Sequence, residues 1–224
     1  MVKNSIFRPL RNNETLKDRA VELLSDAILT GKLGPGDRIN ESQLAREMQI
    51  SRAPVREALQ QLQEQSLIVN IPRRGMMVVS LDQEDTQKIN SLRVILEAEA
   101  LRLARRNFTP QRQKKLQELL RDMENAEPTT KYARLDLEFH RTIWNYSGND
   151  YLEKILTSLT APLIAHSVRS ILRKDKLRVV VDSHRPLLEF VSGTLNQSAE
   201  TVMLNHFKDR YPDPAKFSSL SSPE

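Results

Sequence analysis

The chain contains no cysteine, and glycine is scarce, with six residues in 224. The absence of cysteine excludes a disulfide framework, a thiolate zinc site and a cysteine nucleophile. Half of the glycines, Gly31, Gly34 and Gly36, fall in one short stretch, so long segments lack the residue that most readily ends a helix. Together with many Leu, Arg, Glu and Gln residues, this composition predicts a mostly helical protein.

Long apolar runs are also absent. A helix that spans a membrane needs about 20 consecutive apolar residues, and no run in the chain approaches that length. The segment Met1–Ser5 shows no hydrophobic region of the kind found in secretory signals. We therefore expect a cytoplasmic protein without a membrane partner. With roughly 150 residues in a typical domain, the length predicts one large or two small globular domains.

The net charge of +5 is too small to identify a partner by itself, but the basic residues are unevenly placed. No acidic residue occurs between Gln65 and Leu81, and Arg73 and Arg74 lie in this segment next to Gly75. A local basic surface of this kind is what phosphate binding requires, and we assign these two arginines mainly to phosphates. A charged face that only contacts solvent is the alternative interpretation.

The first part of the chain has the pattern of three helices followed by a β-hairpin. Apolar residues recur at helical spacing, Gly31 ends the first helix and Ser51 is suited to cap the third. The predicted elements are helices over residues 15–30, 41–48 and 51–65 and strands over residues 67–71 and 76–80. This is the plan of a winged helix-turn-helix, whose third helix enters the major groove of DNA.

The exposed start of this third helix carries Ser51, Arg52 and Arg56, while Val55 and Leu59 face inward. Donors and cations at that position suit contacts with base edges and phosphates. An ordinary three-helix bundle with surface arginines is the alternative.

The same region resembles the GntR family of bacterial transcription regulators. The residues that carry the resemblance are the turn Pro35-Gly36-Asp37, the pair Leu44-Ala45 and the run Ser51-Arg52-Ala53-Pro54-Val55-Arg56-Glu57-Ala58-Leu59. The resemblance implies that Ser51, Arg52 and Arg56 contact DNA. It also implies that Gly75 lets the tip of the wing approach a minor groove.

The remaining chain predicts a bundle of six helices, so we expect a DNA-binding domain over residues 1–80 and a helical domain over residues 81–211. The predicted helices cover residues 82–107, 110–125, 130–147, a fourth segment that carries Leu152 to Ile164, then 174–191 and 198–211. The inner stripe of the first of these helices is expected to consist of Ile89, Leu92, Leu96, Ala100, Leu103 and Ala104. Pro186 is expected to kink the fifth. The tail 212–224, rich in Ser and Pro, is expected to be loose.

The chemistry of this bundle is expected to come from its histidines, of which the chain has four. Asp136 and His140 are four residues apart and share a helix face, so they could hold one metal ion together. His184 and His206 fall on two other helices. Three imidazoles and a carboxylate suit a divalent zinc, nickel or manganese ion. Taken singly, each histidine is more often a core or surface residue than a ligand.

The bundle resembles the FCD effector domain of FadR-type GntR regulators, and its six helices resemble the VanR-like group. The resemblance rests on Arg93-x-x-x-Glu97, Asp136-Leu137-Glu138-Phe139-His140, His184-Arg185-Pro186 and Ala199 before His206. It implies an organic-acid effector whose charge Arg93 balances. The implied metal ligands are Asp136, His140, His184 and His206.

Two positions stand apart from this pattern. His166 matches no ligand position of the family, and we interpret it as a structural residue. Ser183 replaces the glutamate that usually precedes His184, which is expected to remove a carboxylate beside the metal and to weaken metal binding or change its preference.

These features predict a ligand-responsive, DNA-binding transcription regulator that is not an enzyme. We expect a homodimer on double-stranded operator DNA, because one recognition helix per chain gives too small an interface for tight specific binding. The effector is expected to be a small carboxylate. One alternative is a metal-dependent hydrolase-like enzyme fused to a DNA-binding head, with Glu97 and Glu138 as candidate general bases. The other is an architectural DNA binder without an effector.

Overall fold

The computed structural model describes residues 15–126, 130–171 and 174–208. Within these ranges the chain forms ten helices and one two-stranded sheet. The N-terminal elements are α1 (Leu16–Leu29), α2 (Glu41–Met48), α3 (Arg52–Glu64), β1 (Ile68–Ile71) and β2 (Gly75–Val78). The C-terminal elements are α4 (Gln83–Arg106), α5 (Pro110–Glu124), α6 (Thr130–Tyr146), α7 (Asp150–Ile171), α8 (Lys174–Asp182), α9 (Arg185–Val191) and α10 (Ala199–Lys208). The predicted loose tail over residues 212–224 lies outside the described residues.

Most helix ends lie close to their predicted positions because local capping determines them. α4 begins with a capping box in which the Asp85 N–H donates to Asp82 Oδ1 at 2.8 Å and the Asp82 N–H donates to Asp85 Oδ2 at 3.3 Å. At the start of α5, Thr109 Oγ1 accepts the N–H of Arg112 at 3.3 Å, and Pro110 occupies the first turn. These caps satisfy N–H groups that the helices leave without an internal partner.

The hairpin forms the wing, and a third segment extends it. β1 and β2 are antiparallel, with Ile71 opposite Gly75. The Ile39 N–H donates to Met76 O at 2.8 Å, so the segment after the Pro-Gly turn lies alongside β2. Gly75 has a φ of +83°, a left-handed conformation that glycine adopts without steric cost. The tip of the wing therefore depends on glycine at this position.

α1 and α3 pack against each other and form the core of the N-terminal domain. Leu24 and Ile28 from α1 and Val55 and Leu59 from α3 are buried. Burial of each such side chain contributes about 1.5–3 kcal/mol to stability. Because this face of α3 is used for the core, the opposite face is left for solvent or DNA.

α4 is the central helix of the C-terminal bundle and packs against α6, α7, α9 and α10. α6 packs against α4, α5 and α7, and it also contacts α1. One hydrophobic cluster continues from the N-terminal domain into the bundle, since it includes Leu24 and Ile28 of α1 together with Leu137, Trp144 and Ile164. The two parts of the chain therefore share buried contacts at α1, α6 and α7.

The predicted helix over residues 174–191 is divided into α8 and α9, so the described part of the bundle has seven helical segments instead of six. Ser183 and His184 form the turn between them, and Pro186 lies in the first turn of α9. Proline has no N–H, and its ring clashes with the carbonyl of the residue four positions earlier, which favours a kink or a break at this point. The expected kink is thus a complete break.

The predicted inner stripe of α4 is wrong at Leu92, which is 50% exposed. The buried face instead includes the polar residues Asn90, Arg93 and Glu97. Apolar residues occur on more than one face of α4. Hydrophobic periodicity alone therefore placed Leu92 on the buried face, although it lies on an exposed one. Among the helices that the structure describes, none is long and apolar enough to cross a membrane.

Candidate functional site

The side chains predicted to contact DNA are exposed on α3 and on the wing. Ser51 immediately precedes α3, and Arg52 and Arg56 lie in its first two turns. The Ser51 side chain makes no capping hydrogen bond, so its hydroxyl can bond to another group. Arg73 and Arg74 are exposed in the hairpin turn. The two groups of residues have the exposure that contacts with bases and phosphates require.

Arg56 is bound by Glu41 at the start of α2. Its Nε donates to Oε2 at 3.2 Å and its Nη2 donates to Oε1 at 3.0 Å. The hydrogen bond from Arg56 lowers the pKa of the Glu41 carboxyl, opposed by burial and assisted by the charges of Arg56 and Arg52. This two-point contact joins α2 to α3. Arg56 must therefore exchange Glu41 for DNA, or share its donors between them, in order to contact an operator.

Arg38 is a further cation beside the wing. Its sequence position did not identify it as a candidate for contact with DNA. Its side chain is exposed, and a Cβ placed on Gly75 would lie 3.9 Å from both its Nε and its Nη2. The hydrogen bond from Ile39 N–H to Met76 O places the neighbouring Arg38 beside the tip of the wing. In the sequence Arg38 follows a turn, and no periodicity distinguishes it from an ordinary surface residue.

Three histidines from distant parts of the chain converge inside the C-terminal bundle. His140 lies on α6, His184 lies between α8 and α9, and His206 lies on α10. Each is at most 2% exposed, and one ring nitrogen from each lies within 4.8 Å of the others. Nε2 of His140 and Nε2 of His206 are 3.2 Å apart. His166, which was expected to lie outside this group, is exposed on α7.

Asp136 lies one turn before His140 on α6 and is 2% exposed. Its Oδ1 is 3.1 Å from Nε2 of His184 and accepts a hydrogen bond from the Tyr132 hydroxyl at 3.2 Å. Asp136 therefore joins the cluster through His184, and all four predicted metal ligands are buried together.

The second ring nitrogen of two of these histidines faces a backbone carbonyl. Nδ1 of His184 is 2.9 Å from Val180 O, and Nδ1 of His206 is 3.0 Å from Ser183 O. A carbonyl oxygen can only accept a hydrogen bond, so each Nδ1 carries the hydrogen and donates. In a neutral imidazole the opposite nitrogen, Nε2, then carries a lone pair.

Ser183 contributes more to this arrangement than expected. Its hydroxyl oxygen is 3.1 Å from Nδ1 of His206, while the hydroxyl donates to Val180 O at 2.7 Å. The residue therefore offers two acceptors to His206, its carbonyl and its hydroxyl, in place of the carboxylate that the sequence lacks. The contact depends on the turn between α8 and α9, which the sequence pattern did not predict.

Glu97 connects the histidine cluster to Arg93. One carboxylate oxygen, Oε2, accepts from Nδ1 of His140 at 2.9 Å and from the Trp144 indole N–H at 3.4 Å. The other, Oε1, accepts from Arg93 Nε at 2.8 Å. Burial would raise the pKa of Glu97, but the charges of Arg93 and His140 and their hydrogen bonds outweigh it and lower the pKa to about 2. Glu97 is therefore ionised and orients His140 with its Nε2 toward His206.

The donor set fits a divalent metal ion. Nitrogen lone pairs and a carboxylate that face one another in a buried space repel unless a cation or a proton lies among them. Histidines that donate from one ring nitrogen and offer the other as a ligand are the usual arrangement at metal sites. Ligands dominated by imidazole favour zinc or nickel, while a carboxylate such as that of Asp136 also suits manganese. The residues that could hold the ion directly are His140, His184 and His206, and Asp136 lies beside them in contact with His184.

Arg93 lies beside this cluster with capacity for an anion. Its guanidinium carbon is 4.6 Å from the centroid of the Phe207 ring, and its Nε is bound to Glu97. Its Nη2 is buried and has no hydrogen-bond partner among the described residues. A carboxylate would supply the acceptor that this donor needs.

A winged helix-turn-helix joined to a helical bundle with a buried polar site defines a transcription regulator that binds DNA and a ligand in one chain. Family models match both parts: bacterial regulatory proteins of the gntR family match residues 16–78, and the FCD domain matches residues 88–209, more than half of the chain. The chain belongs to the GntR family of bacterial regulators, in the group with an FCD domain. The family resemblance of the motifs is thereby confirmed, as is the predicted fold class.

Individual relatives agree with this assignment. YdhC, an HTH-type transcriptional regulator of Bacillus subtilis strain 168, is 28% identical over 188 residues, which is 82% of this chain and 84% of that protein. The Nta operon transcriptional regulator of Aminobacter aminovorans is 31% identical over 128 residues, 56% of this chain and 61% of that protein. The solved structure of E. coli McbR/YncC has a TM-score of 0.74 with 23% identity, over 94% of this chain and 100% of that one, and shares the fold. The chain is accordingly a ligand-responsive DNA-binding transcription regulator.

Proposed function

We propose that this regulator senses a small organic acid at a divalent metal ion and releases or binds operator DNA in response. The observation that carries the proposal is the connection from the histidine cluster through Glu97 to Arg93, whose Nη2 has no hydrogen-bond partner in the part of the chain that the structure describes. The proposed metal ligands are Asp136, His140, His184 and His206. When bound, the metal supplies an electrostatic attraction for the effector carboxylate, and Arg93 supplies a second one.

This arrangement favours binding over catalysis. Both carboxylate oxygens of Glu97 are engaged, one by Arg93 and one by His140, so Glu97 is not placed to accept a proton from water. Glu138 is exposed and accepts a hydrogen bond from Lys115 at 3.1 Å on the surface. The two general bases considered for a hydrolase are thus occupied elsewhere, and we propose that the protein is not an enzyme.

For DNA recognition we propose that the start of α3 reads base edges in the major groove and that the wing contacts the sugar-phosphate backbone. The proposed contacts are Ser51, Arg52 and Arg56 from α3 and Arg73, Arg74 and Gly75 from the wing. Arg38 supports them by its position beside the wing. We place the boundary between the DNA-binding and effector domains at residues 80–81, between β2 and α4.

The functional protein is proposed to be a cytoplasmic homodimer. Each chain has one recognition helix, and two are needed to cover an operator of ordinary length. Leu92 and Ile95 of α4 are 50% and 52% exposed, which is unusual for two large apolar side chains on the central helix of a bundle. A second copy of the chain would cover them.

The proposal is tested with the full-length protein and an operator fragment selected from a random DNA pool. The protein is stripped with a chelator, reloaded with zinc, nickel or manganese, and titrated with small carboxylates while DNA binding is followed by fluorescence anisotropy. We expect a carboxylate to change the operator affinity of the metal-loaded protein by at least about fivefold, which is the lower end of typical allosteric effects on affinity. The metal-free protein should show no such change. An equal response with and without metal, or no response to any carboxylate, would contradict the proposal.

A further inference from the structure

Among the arginines proposed to contact DNA, Arg56 is the one that forms an ion pair within the described part of the chain. Its partner Glu41 is the first residue of α2, and Asn40 caps that helix by accepting the Gln43 N–H at 3.1 Å. The Glu41 side chain is 29% exposed, whereas that of Arg56 is 72% exposed. Glu41 therefore holds Arg56 from a fixed helix end, while most of the arginine remains accessible to DNA.

The contact with Glu41 uses one edge of the Arg56 guanidinium and leaves a second edge available. Nε and Nη2 donate to the two carboxylate oxygens at 3.2 and 3.0 Å. Both hydrogens of Nη1 and one hydrogen of Nη2 remain, and the adjacent hydrogens of Nη1 and Nη2 form a parallel pair. Such a pair matches O6 and N7 of a guanine in the major groove. Because the guanidinium is planar and rigid, fixing one edge also fixes the direction of the other.

We propose that Glu41 stays bound to Arg56 on the operator and acts as a positioning residue, so that Arg56 reads a guanine and adds little to the binding of other DNA. The inference rests on the proposed function, in which the start of α3 enters the major groove. An arginine without a partner attracts phosphates of any sequence, because the attraction between a cation and the DNA backbone does not depend on sequence. At Arg56 the adjacent carboxylate, which phosphates repel, offsets this attraction.

The same ion pair favours the operator complex. A guanidinium that is already held in one orientation loses less conformational freedom when it forms two hydrogen bonds with guanine. Glu41 is therefore expected to lower the affinity for random DNA and to raise the ratio of operator affinity to random-DNA affinity. A simple exchange, in which Arg56 leaves Glu41 for DNA, predicts a different result. The carboxylate would then compete with every sequence alike, and the ratio would not depend on it.

The experiment compares the operator with a random duplex of equal length, using the full-length wild type, Glu41→Gln and Arg56→Gln. Fluorescence anisotropy measures both affinities at several salt concentrations. We expect Glu41→Gln to bind random DNA more tightly than the wild type, with a salt slope steeper by about 0.9 per chain, as for one added phosphate contact. Its ratio of operator to random affinity should fall by at least about fivefold per half-site, the lower end of discrimination by a bidentate contact. A wild-type ratio in Glu41→Gln overturns the inference.

Glu47→Gln is the matched control, because it removes the same charge from the last turn of α2. There the carboxylate accepts from the Gln43 amide at 2.9 Å instead of from an arginine. The control should keep the wild-type ratio, and an equal fall in both variants overturns the inference. Thermal unfolding followed by circular dichroism verifies that every variant is folded.

A double variant separates positioning from a purely structural role of Glu41. In the Arg56→Gln background, Glu41→Gln should change the ratio no further, because its effect passes through the arginine. A further fall in the double variant overturns the positioning role. Wild-type binding of both duplexes by Arg56→Gln would instead contradict the DNA contact proposed for Arg56, and the inference with it.

Discussion

Arg134 of α6 forms an ion pair with Asp26 of α1, so the helix that carries Asp136 and His140 is joined to the N-terminal domain by a charged contact. Leu137 and Trp144 of α6 belong to the same hydrophobic cluster as the core of that domain. A shift of α6 on binding metal and effector would therefore act directly on α1, which packs against the recognition helix α3. This gives a physical contact through which effector binding can bias the geometry of the DNA-binding domain.

We expect Arg134→Ala to reduce the change in operator affinity that an effector produces. The pair is partly exposed, so its loss should alter the free energy of unfolding by less than about 1 kcal/mol. DNA binding without effector and metal content should be preserved. Fluorescence anisotropy with and without effector measures the response. Lys115→Ala, which removes a surface pair with Glu138 inside the effector domain, is the matched control, and a wild-type response from Arg134→Ala would refute the coupling.

The histidine cluster predicts about one divalent ion per chain and added thermal stability from it, since a ligand that binds only the folded state shifts the folding equilibrium. His140→Ala and His206→Ala should each lose most of the metal. His166→Ala is the control, because His166 is exposed on α7 and lies apart from the cluster. Elemental analysis after dialysis against metal measures the content. Equal metal in all three variants and the wild type would reject the site.

Glu97→Gln should weaken metal binding by about 10–100-fold, as is usual when the partner of a metal-binding histidine is changed. The substitution also leaves the buried charge of Arg93 without its anion, which should lower the free energy of unfolding by about 3–5 kcal/mol. Urea denaturation of the chelated protein and a metal titration measure the two effects separately. Glu138→Gln, on the surface of α6, should change neither. Wild-type metal affinity in Glu97→Gln would show that the hydrogen bond between Glu97 and His140 does not contribute to metal binding.

The two groups of arginines are expected to act differently on DNA. Arg52→Ala should reduce the preference for operator over random DNA by about 1–3 kcal/mol per half-site if it reads a base edge. Arg73→Ala and Arg74→Ala should weaken binding to all sequences alike and reduce the dependence on salt. Binding titrations on both kinds of DNA at several salt concentrations separate these effects. Arg121→Ala on α5 controls for net charge, and an unchanged preference in Arg52→Ala would exclude base reading.

The exposed apolar side chains of α4 predict that Leu92→Glu together with Ile95→Glu produces a monomer. Charged side chains that face each other across a buried interface are strongly unfavourable, so assembly should fail while each chain stays folded. Sedimentation velocity at micromolar concentration measures the state. Val179→Glu on α8, an equally exposed apolar position, is the comparison. A wild-type protein that sediments as a monomer would overturn the dimer itself.

The elements of the N-terminal domain were predictable from sequence because their signals are local. Pro54 in the first turn of α3 and glycine at the wing tip each act within a few residues of chain, although the Ser51 side chain, expected to cap α3, makes no capping hydrogen bond. The histidine ligands could be proposed for a different reason, namely that a resemblance related positions far apart in the chain. Spacing alone supported only Asp136 with His140, because those two share one helix face.

The sequence by itself therefore determined the helical composition, the order of the elements and the basic face of α3, all of which follow from near-neighbour physics. Only the tertiary structure decided which face of α4 is buried, where α8 ends, and that Glu97 lies between Arg93 and His140. It also revealed that the buried polar side chains of Asn90 and Thr160 carry atoms without a hydrogen-bond partner among the described residues. The physical reason is that a buried polar residue is tolerated where distant helices or a ligand supply its partners, and hydrophobic periodicity carries no information about those partners.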